Sequence, residues 1–234
     1  MLLGVNVGRS PRILIPGFPH HVVQRGHNRN AVFVETDDYE YYLANLIQWK
    51  DHFDVGVYAY CLMTNHVHLV LVPLARGDGI SGLMRRLSAR QGRRVNQLER
   101  RTGSLWSGRF KSSIIDSDRY LLACLRYVEL NPVRAGVVSR PEEYRWTSYR
   151  QRVGLNSDIW LDCDPATRAL GDTPAQRHQA YAHFVQDSVP DGESELIRDA
   201  VRRNQLTGDQ QFVDEIEHRT GLRIKFRGPG RPSK

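Results

Sequence analysis

Two histidines set two apart, His66 and His68, sit inside the apolar run Met63-Thr64-Asn65-His66-Val67-His68-Leu69-Val70. Side chains of a strand alternate faces, so both imidazoles project from one face while Val67 and Leu69 enter the opposite layer. Imidazoles held side by side on a rigid strand supply half of a coordination set for a metal ion. A pair of packed histidines shows the same spacing, and His-x-His alone does not separate the two readings. A second constellation lies in the stretch 118–136. Asp118 is an N-cap candidate, Leu121, Leu122 and Leu125 recur at helical spacing, and Pro132 disfavours helical geometry at Asn131. A helix is therefore predicted to run to about Leu130, with Tyr127 and Asn131 four apart on one face near its end. A phenol is a potential nucleophile and a carboxamide a neutral oxygen donor, and the two can share one site.

Together these residues carry a resemblance. His66-Val67-His68 followed by Tyr127-Val128-Glu129-Leu130-Asn131 resembles the histidine-hydrophobe-histidine single-tyrosine transposases. Three further stretches are similar to the branch called REP-associated tyrosine transposases: Phe18-Pro19-His20-His21-Val22-Val23-Gln24-Arg25-Gly26, Leu105-Trp106-Ser107-Gly108-Arg109-Phe110-Lys111-Ser112-Ser113, and Arg126 to Gly136. The likeness runs from about Pro11 to Tyr149, and ordered motifs are far more specific than any one of them. It implies a ferredoxin-like fold and a Mg²⁺ or Mn²⁺ ion held by His66, His68 and Asn131. It also implies attack by Tyr127 on single-stranded hairpin DNA through a covalent 5′-phosphotyrosine. Nitrogen and neutral-oxygen ligands independently suit Mn²⁺ or Mg²⁺ at an open site. One departure stands out, since asparagine is usual where His27 occurs. Tyr120 lies two turns before Tyr127 and is the competing nucleophile, and the general base is not identifiable from the sequence. A relaxase or replication initiator would use the same chemistry. A non-catalytic nucleic-acid-binding regulator would not need His66, His68, Tyr127 and Asn131 together.

Charge points to the same kind of partner. Lysine and arginine number 33 against 26 acidic residues, a net +7 that favours a polyanion. The densest positive stretch is a helix predicted over 81–101, bearing Arg85, Arg86, Arg90, Arg93, Arg94, Arg100 and Arg101 against Glu99. Arg86, Arg90, Arg93 and Arg94, with Arg109 and Lys111 beyond them, are candidate phosphate contacts, and Trp106 a candidate stacking platform for unpaired bases. The tail Arg227-Gly228-Pro229-Gly230-Arg231-Pro232-Ser233-Lys234 contains the Gly-Arg-Pro core of AT-hook minor-groove binders, which adds Arg231.

The elements that must position these residues follow from the patterning. Strands are predicted at 20–24, 32–34, 55–62, 66–72 and 112–115. A helix over 37–51 is capped by Thr36, with Leu43, Leu46 and Ile47 inward. In this order they form an α+β sandwich, an antiparallel sheet backed by helices. The predicted organisation is a loose lead-in over 1–10, a catalytic domain over 11–155, a small helical region over 156–226 and a basic tail over 227–234. The helical patterns of that region fall at 174–186, 193–204 and 209–220. Cys61, Cys124 and Cys163 are odd in number and widely spaced, which suggests neither a disulfide framework nor a zinc ribbon and suits a reducing cytoplasm. With no secretory leader or bilayer-length apolar run, the expectation is a soluble monomer or homodimer.

Overall fold

The computed structural model describes residues 12–116, 120–156, 160–187 and 189–221. Its centre is a four-stranded antiparallel sheet in the order β2-β3-β1-β4, formed by β1 (His20–Arg25), β2 (Val55–Met63), β3 (His66–Pro73) and β4 (Lys111–Ile114). Helix α1 (Thr36–Lys50) connects β1 to β2 and α2 (Gly79–Leu98) connects β3 to β4, the βαββαβ order of a ferredoxin-like fold. Residues Thr64 and Asn65 alone join β2 to β3, so the hairpin holds the histidine strand in fixed register.

Strand alternation sorts the core into two layers. Val22, Val67, Leu69 and Leu71 pack with Leu46 of α1 and Leu83 and Leu87 of α2. Ala59, Cys61, Met63 and Val70 of the other face pack against α3 (Leu121–Glu129). Beyond α3 come α4 (Asn131–Arg134), α5 (Tyr149–Arg152), α6 (Pro165–Arg168), α7 (Pro174–Gln186), α8 (Glu193–Arg203) and α9 (Gln210–Thr220).

The later helices are bolted to α3. Arg126 Nη2 donates to both oxygens of Glu193 at 2.9 Å. Glu129 is fully buried and accepts from Arg152 Nε at 3.0 Å and from the Tyr181 hydroxyl at 2.8 Å, while Arg152 also reaches Asp164 at 2.8 Å. The segment after α8 reaches the sheet as well, where Thr207 N donates to Ile114 O at 2.8 Å.

Several local expectations need correction. Residues 32–34 form no strand; Val32 and Phe33 are buried coil whose N–H groups donate to Thr64 O at 2.8 and 3.1 Å. That carbonyl at the hairpin turn satisfies them, so sheet pairing is unnecessary. Glu35, not Thr36, caps α1 through a reciprocal bond with Asp38, and the inward face is Tyr39, Tyr42 and Leu46 while Ile47 is exposed. Helix α2 ends at Leu98 rather than 101, where Arg100 turns left-handed at φ 49°. Helix α3 begins at Leu121 with Tyr120 at its cap position, and Asp118 lies outside the described residues, as do the tail and Arg231.

Candidate active site

His66 and His68 project from β3 toward the α3 layer, their ring centroids 5.0 Å apart. From α3, Tyr127 brings its ring to 6.1 Å from His68 and 5.7 Å from His21, a residue of β1. Register explains the third histidine. His21 pairs with Val70 and Val23 with His68, so His21 stands diagonally from His68 on one face. Its neighbour His20 faces the other way and is structural, bonding Phe18 O at 2.7 Å and Ile15 N at 3.3 Å.

Hydrogen bonds decide the state of each ring. Asn65 Nδ2 donates to Arg29 O at 3.2 Å, which turns its Oδ1 toward His66 Nδ1 at 2.6 Å. An amide oxygen only accepts, so the His66 proton resides on Nδ1 and Nε2 keeps its lone pair. His68 Nδ1 is 2.8 Å from His21 Nε2, and the pair has two tautomeric arrangements. When His68 donates, its own Nε2 is free to ligate. When His21 donates, it is not. Burial pushes His66 to about 4, holds His68 well below the ordinary 6.5, and pushes His21 to about 3. All three are neutral at physiological pH, as ligation requires.

Tyr127 is 8% exposed, and burial raises its phenol above the ordinary 10, opposed by Arg134. The Arg134 guanidinium lies 4.0 Å over the Tyr127 ring and also donates to Tyr127 O. A cation there favours the phenolate that burial disfavours. Glu129 faces away from this cluster into an ion pair with Arg152 of α5 and a hydrogen bond from Tyr181 of α7, as the helical direction from Tyr127 requires. Tyr120, at the start of α3, is half-buried and packs against the core cluster that includes α3.

Asn131 is placed differently from expectation. The helix breaks at Leu130 (φ −84°, ψ 3°), and Asn131 then opens the short helix α4 rather than leaving helical geometry. Pro132 sits in its first turn, where a missing N–H is harmless. The Asn131 amide nitrogen donates to Tyr127 O at 3.1 Å, which leaves Oδ1 as its ligating atom. Neutral imidazole nitrogens and a carboxamide oxygen are donor types that a divalent ion takes, with His66 Nε2 free to ligate and His68 Nε2 free when His68 donates to His21.

The arginines of α2 divide between two faces. Arg86 lies over Trp49 at 4.2 Å, Arg94 over Tyr41 at 4.9 Å with an ion pair to Asp38 at 3.0 Å, and Arg90 over Tyr41 at 5.7 Å. These three lean toward α1, Arg90 and Arg94 partly buried and Arg86 exposed. Arg93 and Arg109 instead line a cleft together with Arg85 and Arg12. Lys111 Nζ donates to Arg202 O at 2.7 Å at the end of α8, and Trp106 is buried with Nε1 donating to Ser88 O at 3.1 Å. Residues that sequence reasoning missed are His21, Asn65 and Arg134. All three lay inside or beside quoted motifs, but their roles depend on partners outside local periodicity.

An antiparallel α+β sandwich carrying a histidine pair beside a helical tyrosine defines the class. Residues 17–131 of the chain match the IS200-like transposase family, described as "Transposase IS200 like". Among solved structures it is similar to one titled "Structure of the REP associates tyrosine transposase bound to a REP hairpin". Identity there is 18% and the TM-score 0.55, over 67% of this chain and 95% of that one. At that identity the likeness concerns the fold. A putative transposase from Deinococcus radiodurans R1 is 17% identical with a TM-score of 0.36, over 59% of this chain and 97% of that one, too loose to bear on the site. No curated protein matches the chain. Among the described residues no helix is long and apolar enough to cross a membrane.

Proposed function

We propose that this transposase is a metal-dependent endonuclease and strand transferase for single-stranded DNA, of the REP-associated kind, acting at hairpin ends in the reducing cytoplasm. The observation that carries the reading is the meeting of Tyr127 with His21 and His68 within one chain, at ring separations of 5.7 and 6.1 Å. The active site would then be complete in cis, in a monomer or in each half of a homodimer.

Tyr127 Oη attacks the scissile phosphorus, the P–O3′ bond breaks, and the strand is left as a 5′-phosphotyrosine with a free 3′-hydroxyl. The phenolic proton is lost as the leaving 3′ oxygen gains one, and attack by a 3′-hydroxyl on the phosphotyrosine reverses the balance and joins strands. A Mg²⁺ or Mn²⁺ held by His66, His68 and Asn131 Oδ1 would supply Lewis-acid stabilisation of the phosphate. Arg134 offsets the burial of the phenol, and Asn65 and His21 hold the histidine rings. A purely binding role is less well supported, because it gives the prepared His66 nitrogen and the cation over Tyr127 nothing to do.

The test mixes the protein with labelled hairpin DNA bearing single-stranded flanks and Mn²⁺, and looks for an SDS-resistant adduct. Wild type should form it, and Tyr127→Phe should form none while still binding DNA. An adduct that survives Tyr127→Phe would move the nucleophile elsewhere.

A further inference from the structure

The cleft between α2 and the loop 103–110 encloses about 750 Å³ on the sheet face opposite the histidine pair. Its floor on α2 is Ser88, Ala89 and Gly92, side chains too small to fill it, and facing them are Leu105 and Trp106. The floor is built rather than collapsed. Ser88 Oγ donates to Gln24 Oε1 at 2.8 Å, Gln24 Nε2 donates to Gly108 O at 3.1 Å, and Trp106 is held by Ser88 O.

Around this trough stand Arg12, Arg85, Arg93 and Arg109, and among the described residues no carboxylate lines it. Arg12 lies 3.8 Å over Phe110, and its guanidinium pKa is lowered by burial and by the neighbouring Arg109 charge. A rim of like charges without a counterion favours an anion. Between the arginines the trough is mostly apolar, lined by Met84, Ala89, Leu105, Trp106 and Phe110. A free phosphate would leave that surface unused, whereas a nucleotide brings a flat apolar base beside its phosphates.

We infer that this cleft is a second DNA site that holds one unpaired nucleotide, its base in the apolar trough between Ala89 and Leu105 and its flanking phosphates on Arg12, Arg85, Arg93 and Arg109. The inference takes its occupant from the single-stranded DNA reading above. The loop is pinned to β1 by Ser107 N donating to Arg25 O at 2.8 Å, and Arg25 pairs with His66. Cleft wall and histidine pair therefore hang on the same strand end. A nucleotide seated here holds the single-stranded flank in place while Tyr127 acts on the opposite face.

The experiment measures binding by fluorescence anisotropy without added metal, so that it is independent of cleavage. The probes are a hairpin with a single-stranded flank, the same hairpin blunt-ended, and a series with one abasic site moved along the flank. Ala89 is exposed on α2, and Ala89→Trp fills the trough without changing charge. It should weaken binding of the flanked hairpin tenfold or more and leave the blunt one unchanged, and one abasic position should reproduce that loss in wild type. Arg93→Ala with Arg109→Ala should lower the log–log salt slope by roughly 1.4, about 0.7 per lost contact. Unchanged affinity of a folded Ala89→Trp protein overturns the inference, as do equal losses at every abasic position. If Ala89→Trp does not fold, the arginine pair and the abasic series decide. Adduct formation scores the catalytic reading separately. An adduct with an indifferent cleft removes this site alone, and a blocked cleft without any adduct removes the chemistry alone.

Discussion

His21→Phe is the substitution that tests the site most directly, because it keeps an aromatic ring in a fully buried position and removes one hydrogen bond. In the wild-type arrangement that frees His68 Nε2, the His68 Nδ1–H donates to His21 Nε2 across 2.8 Å, and His21 carries its own proton on Nδ1, which is buried without a partner. That arrangement already holds one unsatisfied donor. With phenylalanine at 21, the unsatisfied donor becomes His68 Nδ1–H itself, at a cost of about 1–3 kcal/mol. The His68 proton then moves to Nε2, where it blocks ligation. Loss of such a partner should weaken metal binding by roughly 10- to 100-fold, about 1.4–2.8 kcal/mol. His21→Gln, which restores an acceptor, should recover most of the affinity. Calorimetric titration with Mn²⁺ in the absence of DNA reads the effect without reference to turnover. The reasoning is refuted if His21→Phe binds Mn²⁺ as tightly as wild type while His68→Ala does not.

Adduct formation should cease in EDTA, return with Mn²⁺, and be suppressed in His66→Ala and His68→Ala; full activity in EDTA would remove the metal. Glu129→Gln leaves Arg152 with half its charge partners in a fully buried setting and should cost about 3 kcal/mol in denaturant titration. A loss below about 1 kcal/mol would show that the pairing of α3 with the later helices is solvated. Acid should weaken the fold, because burial sets the folded pKa of His20 and His66 at about 4 and that of His21 at about 3, below the ordinary 6.5. The unfolded chain then binds protons first, so stability present above about 6.5 is lost as pH falls toward 4. Urea midpoints at pH 7.5 and 5 should differ in that sense, and equal midpoints would contradict the assigned burial.

The sequence determined much of this protein locally. Alternation over 66–72 placed His66 and His68 on one face, and helical spacing placed Tyr127 on α3, since both periodicities are backbone properties that a few residues reveal, whereas the break at Leu130 that puts Asn131 at the start of α4 was not legible. The order of strands and helices was enough for the sandwich. What lay beyond it were relations between elements. His21 joins the site because β1 pairs with β3 in one register, and register is a long-range choice made by the burial of both faces. The arginines of α2 read in sequence as one basic surface. Packing places Arg86, Arg90 and Arg94 beside aromatic rings or Asp38 of α1, and Arg85 and Arg93 on the cleft. The 193–204 helical pattern was visible without its purpose. Only the folded chain shows that Glu193 meets Arg126 one residue before the tyrosine, because a charge has no assigned partner until tertiary structure brings one within hydrogen-bonding distance.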